Sequence, residues 1–312
     1  MIYSSLNLLR WYTILNPIVN IEDIRKVVDT KVSSINSISE YKEKSILIKE
    51  NPNYSLYHLV DEFEEELILK ISNDKEGISI LEAEKRSIEI IKHGDCQTLD
   101  IKNYISERKT NLLSFTRVKE GNKDNKFWEN LAEQLVILHQ NKSRSFGLDH
   151  DNYIGTIKQF NSQMGSWMPF FRDRRMRPMV HLAYRLGVLK DPDLNLFDKL
   201  YNRLENFFSY YRPSLVHGDF RVENSIARED QKAILIDPAV YYGIPEMDLA
   251  SALFHGSFPE YFFDAYENMG RLEKDWKERA GLLNIYPMMV YTNTHKSEEM
   301  MQKVRDTILY YI

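Results

Sequence analysis

The 312-residue sequence predicts an α+β protein built as two lobes, a small α/β N-terminal lobe in residues 1–117 and a larger, mainly helical C-terminal lobe in residues 118–312. Three observations carry that prediction. Before residue 118, strand-like apolar runs are interleaved with one amphipathic helix. After the polar break KEGNKDN at 119–125, apolar residues recur mostly at helical spacing. Within that helical half, two short apolar runs lead directly into polar signatures, LVHGDFRVEN at 215–224 and AILIDP at 233–238. A hydrophobic fraction of 43% against 28% charged residues supplies core enough for such a chain.

The elements follow in order. Ile21, Ile24, Val27 and Val28 recur at helical spacing behind a capping Asn20, which predicts a short terminal helix. From Tyr54 to Arg117, SLYHLVD and ELILKIS read as strands, EAEKRSIEIIKHG as a helix and LLSFTRV as a closing strand. In the second lobe, WENLAEQLVILHQ places Leu131, Leu135 and Leu138 on one helical face. Further helices are expected over RPMVHLAYRLGVL and FDKLYNRLENFFSYY, ending at Pro213, which interrupts the helical pattern. SLVHGDF and AILIDPAVYYG then read as short strands feeding polar loops, and the C-terminal stretch returns to helices.

Composition excludes several classes of function. With 46 acidic and 41 basic residues the formal net charge is -5, and no long basic run tracks a phosphate backbone, so no nucleic-acid partner is expected. One local cluster stands out, four arginines within Arg172 to Arg177, readable either as a solvated helix face or as an anion site. Cys96 is the sole cysteine, which rules out an internal disulfide and a thiolate zinc site. Its neighbourhood KHGDCQ carries no acyl-transfer signature. No stretch has the length of a transmembrane helix, and the first residues lack a basic leader with a cleavage site, so a cytoplasmic chain without membrane association is expected.

The chemistry concentrates in 215–238. Asp219 follows a short strand and can orient an acceptor hydroxyl and take its proton, while Asn224 and Asp237 offer hard oxygens suited to Mg²⁺. The plainer alternatives are that Asp219 caps a turn, that Asn224 only stabilises its loop and that Asp237 organises one. His217 suits bracing of the loop better than proton transfer. H-G-D-F-R-V-E-N followed by I-D-P resembles the catalytic loop and metal-binding strand end of small-molecule kinases related to the aminoglycoside and choline kinases.

The surrounding segments narrow the resemblance. FWENLAEQLVILHQ, FGLDHDNYIGTIKQFN, WMPFFRDRRMRP, LVHGDFRVEN and IDPAVYYGIPEMDLASALFHGSF occur in the order seen in fructosamine/ketosamine-3-kinases, across about 127–268. The resemblance implies a bilobal protein-kinase-like fold using ATP and Mg²⁺ to phosphorylate the 3-hydroxyl of a ketosamine, a ribulosamine or fructosamine on a free or protein-borne amine, in a deglycation or metabolite-repair step. It assigns Asp219 as catalytic, Asn224 and Asp237 to the metal, and Lys70 with Glu84 to the nucleotide phosphates, Glu82 being the rival partner. Asp248 in PEMDLAS, with His217, then braces the catalytic loop. His150, Asp151 and Asn152 in GLDHDNYIG form either a sugar-side wall or a polar turn that fixes packing.

The chain also departs from the family pattern. No glycine precedes Lys70 where a phosphate loop is expected. Arg221, Val222 and Glu223 stand where the family has Trp, Ser and Gly, Pro245 where it often has Arg, and His255 where it has Gly. Arg221 can attract an anionic substrate or form a salt bridge with Glu223 that holds the loop. Two alternatives therefore accompany the leading reading: a kinase for another small hydroxyl-bearing acceptor, and a noncatalytic kinase-like binding protein. Oligomeric state has no signature in the sequence.

Overall fold

The structure is a computed structural model that describes residues 46–50, 54–60, 66–72, 75–107, 110–208, 210–270 and 272–312. The helix expected at Ile21–Val28 and, in the glycine-free stretch 51–70 before Lys70, residues 51–53 and 61–65 lie outside the described residues. The chain folds as two compact units. One holds the described residues before Arg86 together with Asp100–Arg117, the other Arg86–Leu99 and Val118–Ile312.

The first unit is an antiparallel sheet with the first part of one helix, whose residues from Arg86 belong to the second unit. β1 (Ile46–Glu50), β2 (Ser55–Val60), β3 (Glu66–Ser72), β4 (Ile101–Glu107) and β5 (Thr110–Thr116) are ordered β1-β2-β3-β5-β4. Leu67, Leu69 and Ile71 alternate onto one face of β3 and, with Leu112, form a small buried core. Lys70 belongs to the opposite face, paired across the sheet with Leu56 and Leu113. α1 (Lys75–His93) buries Leu81, Glu84, Ile88 and Ile91, an i, i+3, i+7, i+10 stripe in which an acid occupies one apolar place. β1 and β4 were not among the expected strands. IKNYISE mixes polar and apolar residues with little apolar content, so its pairing with β5 decides its conformation.

The second unit is mainly helical. α2 (Asn125–Gln140) starts where Asp124 accepts a hydrogen bond from Phe127 N at 3.1 Å, and its Leu131, Leu135 and Leu138 are fully buried. A hairpin of β6 (Asn152–Ile154) and β7 (Ile157–Gln159) follows, unexpected because three-residue strands carry no periodicity. α3 (Trp167–Phe170) runs through the π-helical Phe171–Met176 into α4 (Arg177–Arg185). α5 (Asp191–Tyr201) begins six residues before the run that predicted it and stops ten short of its end. Pro192 favours an early start, and Asp193 Oδ2 accepts from Lys190 N at 2.8 Å. Leu204 and Phe208 keep a helix-like apolar pattern beyond Tyr201 because they still enter the core.

Two antiparallel pairs frame the loops that matter. β8 (Ser214–Val216) pairs with β11 (Tyr241–Gly243), and β9 (Ser225–Ala227) with β10 (Ala233–Leu235). α6 (Glu246–His255), which was not among the expected helices, is followed by α7 (Glu260–Met269), α8 (Trp276–His295) and α9 (Glu298–Tyr311), the expected C-terminal helices. Among the described residues no helix is long and apolar enough to cross a membrane.

Candidate active site

The loop from His217 to Asn224 is held from inside by one buried carboxylate. Asp248, on α6, accepts from His217 N at 2.7 Å through Oδ2 and from Gly218 N at 3.0 Å through Oδ1. His139 Nε2 donates to the same Oδ2 at 3.0 Å, and His139 Nδ1 lies 2.6 Å from the Tyr266 hydroxyl. Asp248 is only 1% exposed, so its charge is stabilised by these N–H donors in place of water.

His217 faces the other way. A carbonyl only accepts, so Nε2–H donates to Ile236 O at 3.1 Å, and Nδ1 is left to receive Asp219 N at 3.4 Å. Burial pushes its pKa below the ordinary 6.5, against the pull of Asp248 and Asp219, and this favours the neutral ring that such bonding requires. Gly218 has φ +82°, and a Cβ there would sit 2.1 Å from Ala239 O. Glycine is therefore required at this position by both backbone conformation and space.

Asp219 and Asn224 are brought together directly. Asn224 Nδ2 donates to both Asp219 O and Asp219 Oδ2 at 2.8 Å, and no donor among the described residues reaches Asn224 Oδ1. Asn224 O accepts from Ile236 N at 3.0 Å, which sets Asp237 one residue beyond a direct bond to the loop. Asp237 adopts φ +51°, an uncommon conformation for a residue with a side chain. Asn224 Oδ1 and the Asp237 carboxylate are hard oxygens of the kind a divalent cation takes. Among the described residues no group of three or more His, Cys, Asp or Glu can hold a metal ion, so a cation here also needs oxygens from its ligand, as Mg²⁺ on phosphates does.

Arg221 does not pair with Glu223. Its Nε lies 3.4 Å from Asp219 Oδ2, because Arg221 is extended (φ −146°, ψ 162°) and residues two apart then share a side, whereas Glu223 lies in the following 3-10 turn and is exposed. His255, at the end of α6, has its pKa lowered by desolvation and by the Arg221 charge.

In the first unit, Lys70 Nζ donates to Glu84 Oε1 at 2.6 Å with both side chains nearly buried. Lys70 also stands over the rings of Tyr54 and Phe115, at 5.1 and 5.9 Å from their centroids.

The three residues of GLDHDNYIG have separate fates. Asn152 is buried, with Nδ2 donating to Val240 O at 2.8 Å and Oδ1 accepting from Gln159 and Asn161, so it serves packing and presents no wall to a sugar. Asp151 accepts from Asn161 N and pairs with Lys158 at 3.1 Å, again as a turn. His150 Nδ1 bonds Asp149 at 2.6 Å.

Sequence reasoning missed four further supports. Gln159 Nε2 donates to Ala239 O at 3.0 Å, fixing the backbone two residues after Asp237, and Tyr286 OH donates to Gln159 Oε1 at 2.9 Å. Arg175, fully buried, donates to Phe160 O and Asn161 Oδ1 and stacks 3.9 Å from the Tyr241 ring centroid. Lys123 Nζ donates to Val222 O and Ser225 O at 2.7 and 2.8 Å and thereby closes the far side of the loop. Arg175 had a signal as one of the clustered arginines, and Lys123 lies in the polar break, but neither position names its partner in the sequence.

The chain is 33% identical over 167 residues to a probable ketoamine kinase of Enterococcus faecium, covering 52% of this chain and 60% of that protein. It is 28% identical over 260 residues to a probable ketoamine kinase of Vibrio vulnificus, covering 81% and 88%. The chain thus spans less than two thirds of the first relative and most of the second. The crystal structure of a provisionally assigned fructosamine-3-kinase from Thermobifida fusca superposes with TM-score 0.78 at 22% identity, covering 86% of this chain and 93% of that one. That likeness shows a bilobal, protein-kinase-like fold with a smaller sheet-containing lobe and a larger helical one. The fructosamine kinase family matches residues 31–310, and the chain belongs to that family.

Proposed function

We propose that the chain transfers the γ-phosphoryl group of ATP to the 3-hydroxyl of a ketosamine, either a ribulosamine or a fructosamine. The observation that carries this reading is the double hydrogen bond from Asn224 to the backbone and carboxylate of Asp219, in a loop clamped by Asp248. It holds Asp219 Oδ2 at a fixed place and leaves Oδ1 to an acceptor hydroxyl.

In this reading Asp219 orients the hydroxyl and accepts its proton as the new O–P bond forms. Asn224 Oδ1 and the Asp237 carboxylate hold Mg²⁺, which when bound neutralises the phosphate charge that develops during transfer. Lys70, held in place by Glu84, binds the nucleotide phosphates. His217 and Asp248 position the loop, and Gln159 with Asn152 position the segment after Asp237. Arg221 pairs with Asp219 Oδ2, the oxygen that Asn224 also holds. The chain works in the cytoplasm on a small ketoamine or a glycated amine.

A second reading, a kinase for a different hydroxyl-bearing acceptor, is favoured by the ion pair between Arg221 and Asp219, since a guanidinium there replaces the flat ring expected of the family. The test is ADP formation from ATP with ribulosamine and fructosamine acceptors, with detection of the phosphorylated product and Asp219→Asn as control. Acceptor-dependent turnover lost in the control is expected. Folded protein that turns over neither sugar overturns the ketosamine assignment.

A further inference from the structure

The arginine cluster at 172–177 divides into unequal parts. Arg172 and Arg177 both bond Asp173, at 2.9 and 2.8 Å, and Arg175 is buried against Tyr241. Arg174 keeps only a long contact to Ser162 O at 3.4 Å and has no carboxylate partner among the described residues. It lines a groove of about 960 Å³ in the second unit, to which none of the proposed catalytic residues contributes.

One wall of the groove bears Arg174, in the π-helical turn, and Arg177, His181 and Arg185, which are four residues apart on one stripe of α4. Arg185 likewise has no carboxylate partner among the described residues. Phe160 and Met164 form an apolar part of the lining. The nearby acids are engaged, Asp173 by Arg172 and Arg177 and Asp191 by the Tyr184 hydroxyl at 2.8 Å. The groove therefore presents two arginine forks beside an apolar wall, with no carboxylate in direct contact among the described residues, although Asp173 feels the Arg174 charge.

We infer that this groove docks an acidic peptide segment of a protein that carries the ketoamine, an inference that rests on the proposed function for what the peptide bears. The length of the stripe favours a peptide over a small anion. Eleven residues of helix rise about 16 Å, the span of about five extended residues. A single carboxylate or phosphate would occupy one fork and leave the other empty. The apolar lining accommodates an aromatic or aliphatic side chain between the acids, as a peptide supplies and a free polyanion does not. A chain of contacts links the groove to the segment that follows Asp237. Arg174 turns to the groove, while its neighbour Arg175 stacks on Tyr241, four residues after Asp237, and is held by Phe160 O of the groove lining.

The experiment measures binding of a fluorescent hexapeptide of alternating glutamate and tyrosine, without sugar, to the full chain and to an Arg174→Glu, Arg185→Glu double variant. Arg174→Gln, Arg185→Gln serves as a second variant without charge reversal. The expected result is binding that weakens with added salt and by about tenfold or more in the reversed variant, the scale of two or three exposed ion pairs. Turnover of a free ketoamine stays unchanged in both variants. The inference is overturned if the peptide does not bind, if it binds the variants as well as the parent, if inorganic phosphate displaces it at equal concentration, or if free-ketoamine turnover falls in parallel. Asp219→Asn keeps peptide binding, so loss of the kinase reading and loss of the docking reading are seen separately.

Discussion

Replacing Asp248 by asparagine exchanges one carboxylate oxygen for an NH₂ group in a place where every neighbour donates. Oδ2 serves His217 N and His139 Nε2, and Oδ1 serves Gly218 N. Whichever way the amide turns, at least one backbone N–H of the loop faces another donor, in a site only 1% exposed. Losing a charge-assisted bond costs roughly 1.5–3 kcal/mol and a stranded buried donor roughly 1–3 kcal/mol more. The expected destabilisation is about 3 kcal/mol, read as a lower urea midpoint at unchanged slope. The same two N–H groups fix the turn that carries Asp219, and a misplacement of about 1 Å lowers turnover by about 10²-fold. The variant should therefore lose kcat at nearly unchanged KM for ATP, because Lys70 and Glu84 lie in the other unit. A variant within about 0.5 kcal/mol of the parent, with parental kcat, would refute the claim that Asp248 positions the loop.

Gly218→Ala should unfold the loop or the protein, since its Cβ would meet Ala239 O at 2.1 Å in a left-handed backbone; circular dichroism and urea titration read it. Glu84→Gln, which leaves Lys70 buried without its carboxylate, should raise KM for ATP by about tenfold or more, and isothermal titration with a nonhydrolysable ATP analogue separates this from a change in kcat. His217 has a folded pKa below its ordinary 6.5, so above that pH both states are neutral and nothing is lost. As pH falls below 6.5 the unfolded chain takes up the proton first, and stability declines by up to about 1.4 kcal/mol per pH unit. Urea midpoints measured from pH 7 to pH 5.5 should fall less in His217→Gln than in the parent. Cys96 is buried and its thiol pushed up to about 12, so iodoacetamide at pH 8 should leave the native protein unlabelled and label it in urea.

The parts of the fold legible in the sequence are those whose signal is local. Leu131, Leu135 and Leu138 announce α2 because one face of a helix repeats within a few residues. β6, β7 and β9 have three residues each and are defined by partners across a turn, so alternation never becomes visible. β4 is strand because β5 offers it hydrogen bonds, and no window containing IKNYISE alone holds that information. The misplaced α5 has the same origin. Leu204 and Phe208 are buried for tertiary reasons and extend an apolar pattern beyond the helix that generated it.

The site divides along the same line. Asp219 and Asn224 are five residues apart, and their contact is a property of one turn, so the motif already contains it. The groups that make the turn rigid come from elsewhere: Asp248 from 31 residues after His217, and Lys123 from 99 before Val222. His139 reaches Asp248 across 109 residues. The arginines show why residue type alone is insufficient. Four of them within six positions offer the same charge, yet Arg172 and Arg177 share the one carboxylate of Asp173, Arg175 is buried on Tyr241, and Arg174 is left facing a groove. The π-helical turn at Phe171–Met176 contributes to this division. Its wider winding changes the angle between successive side chains, so an α-helical wheel drawn on the sequence misplaces Arg174 and Arg175 relative to Arg177. The chemistry of that cluster is decided by backbone geometry that the arginines themselves do not encode.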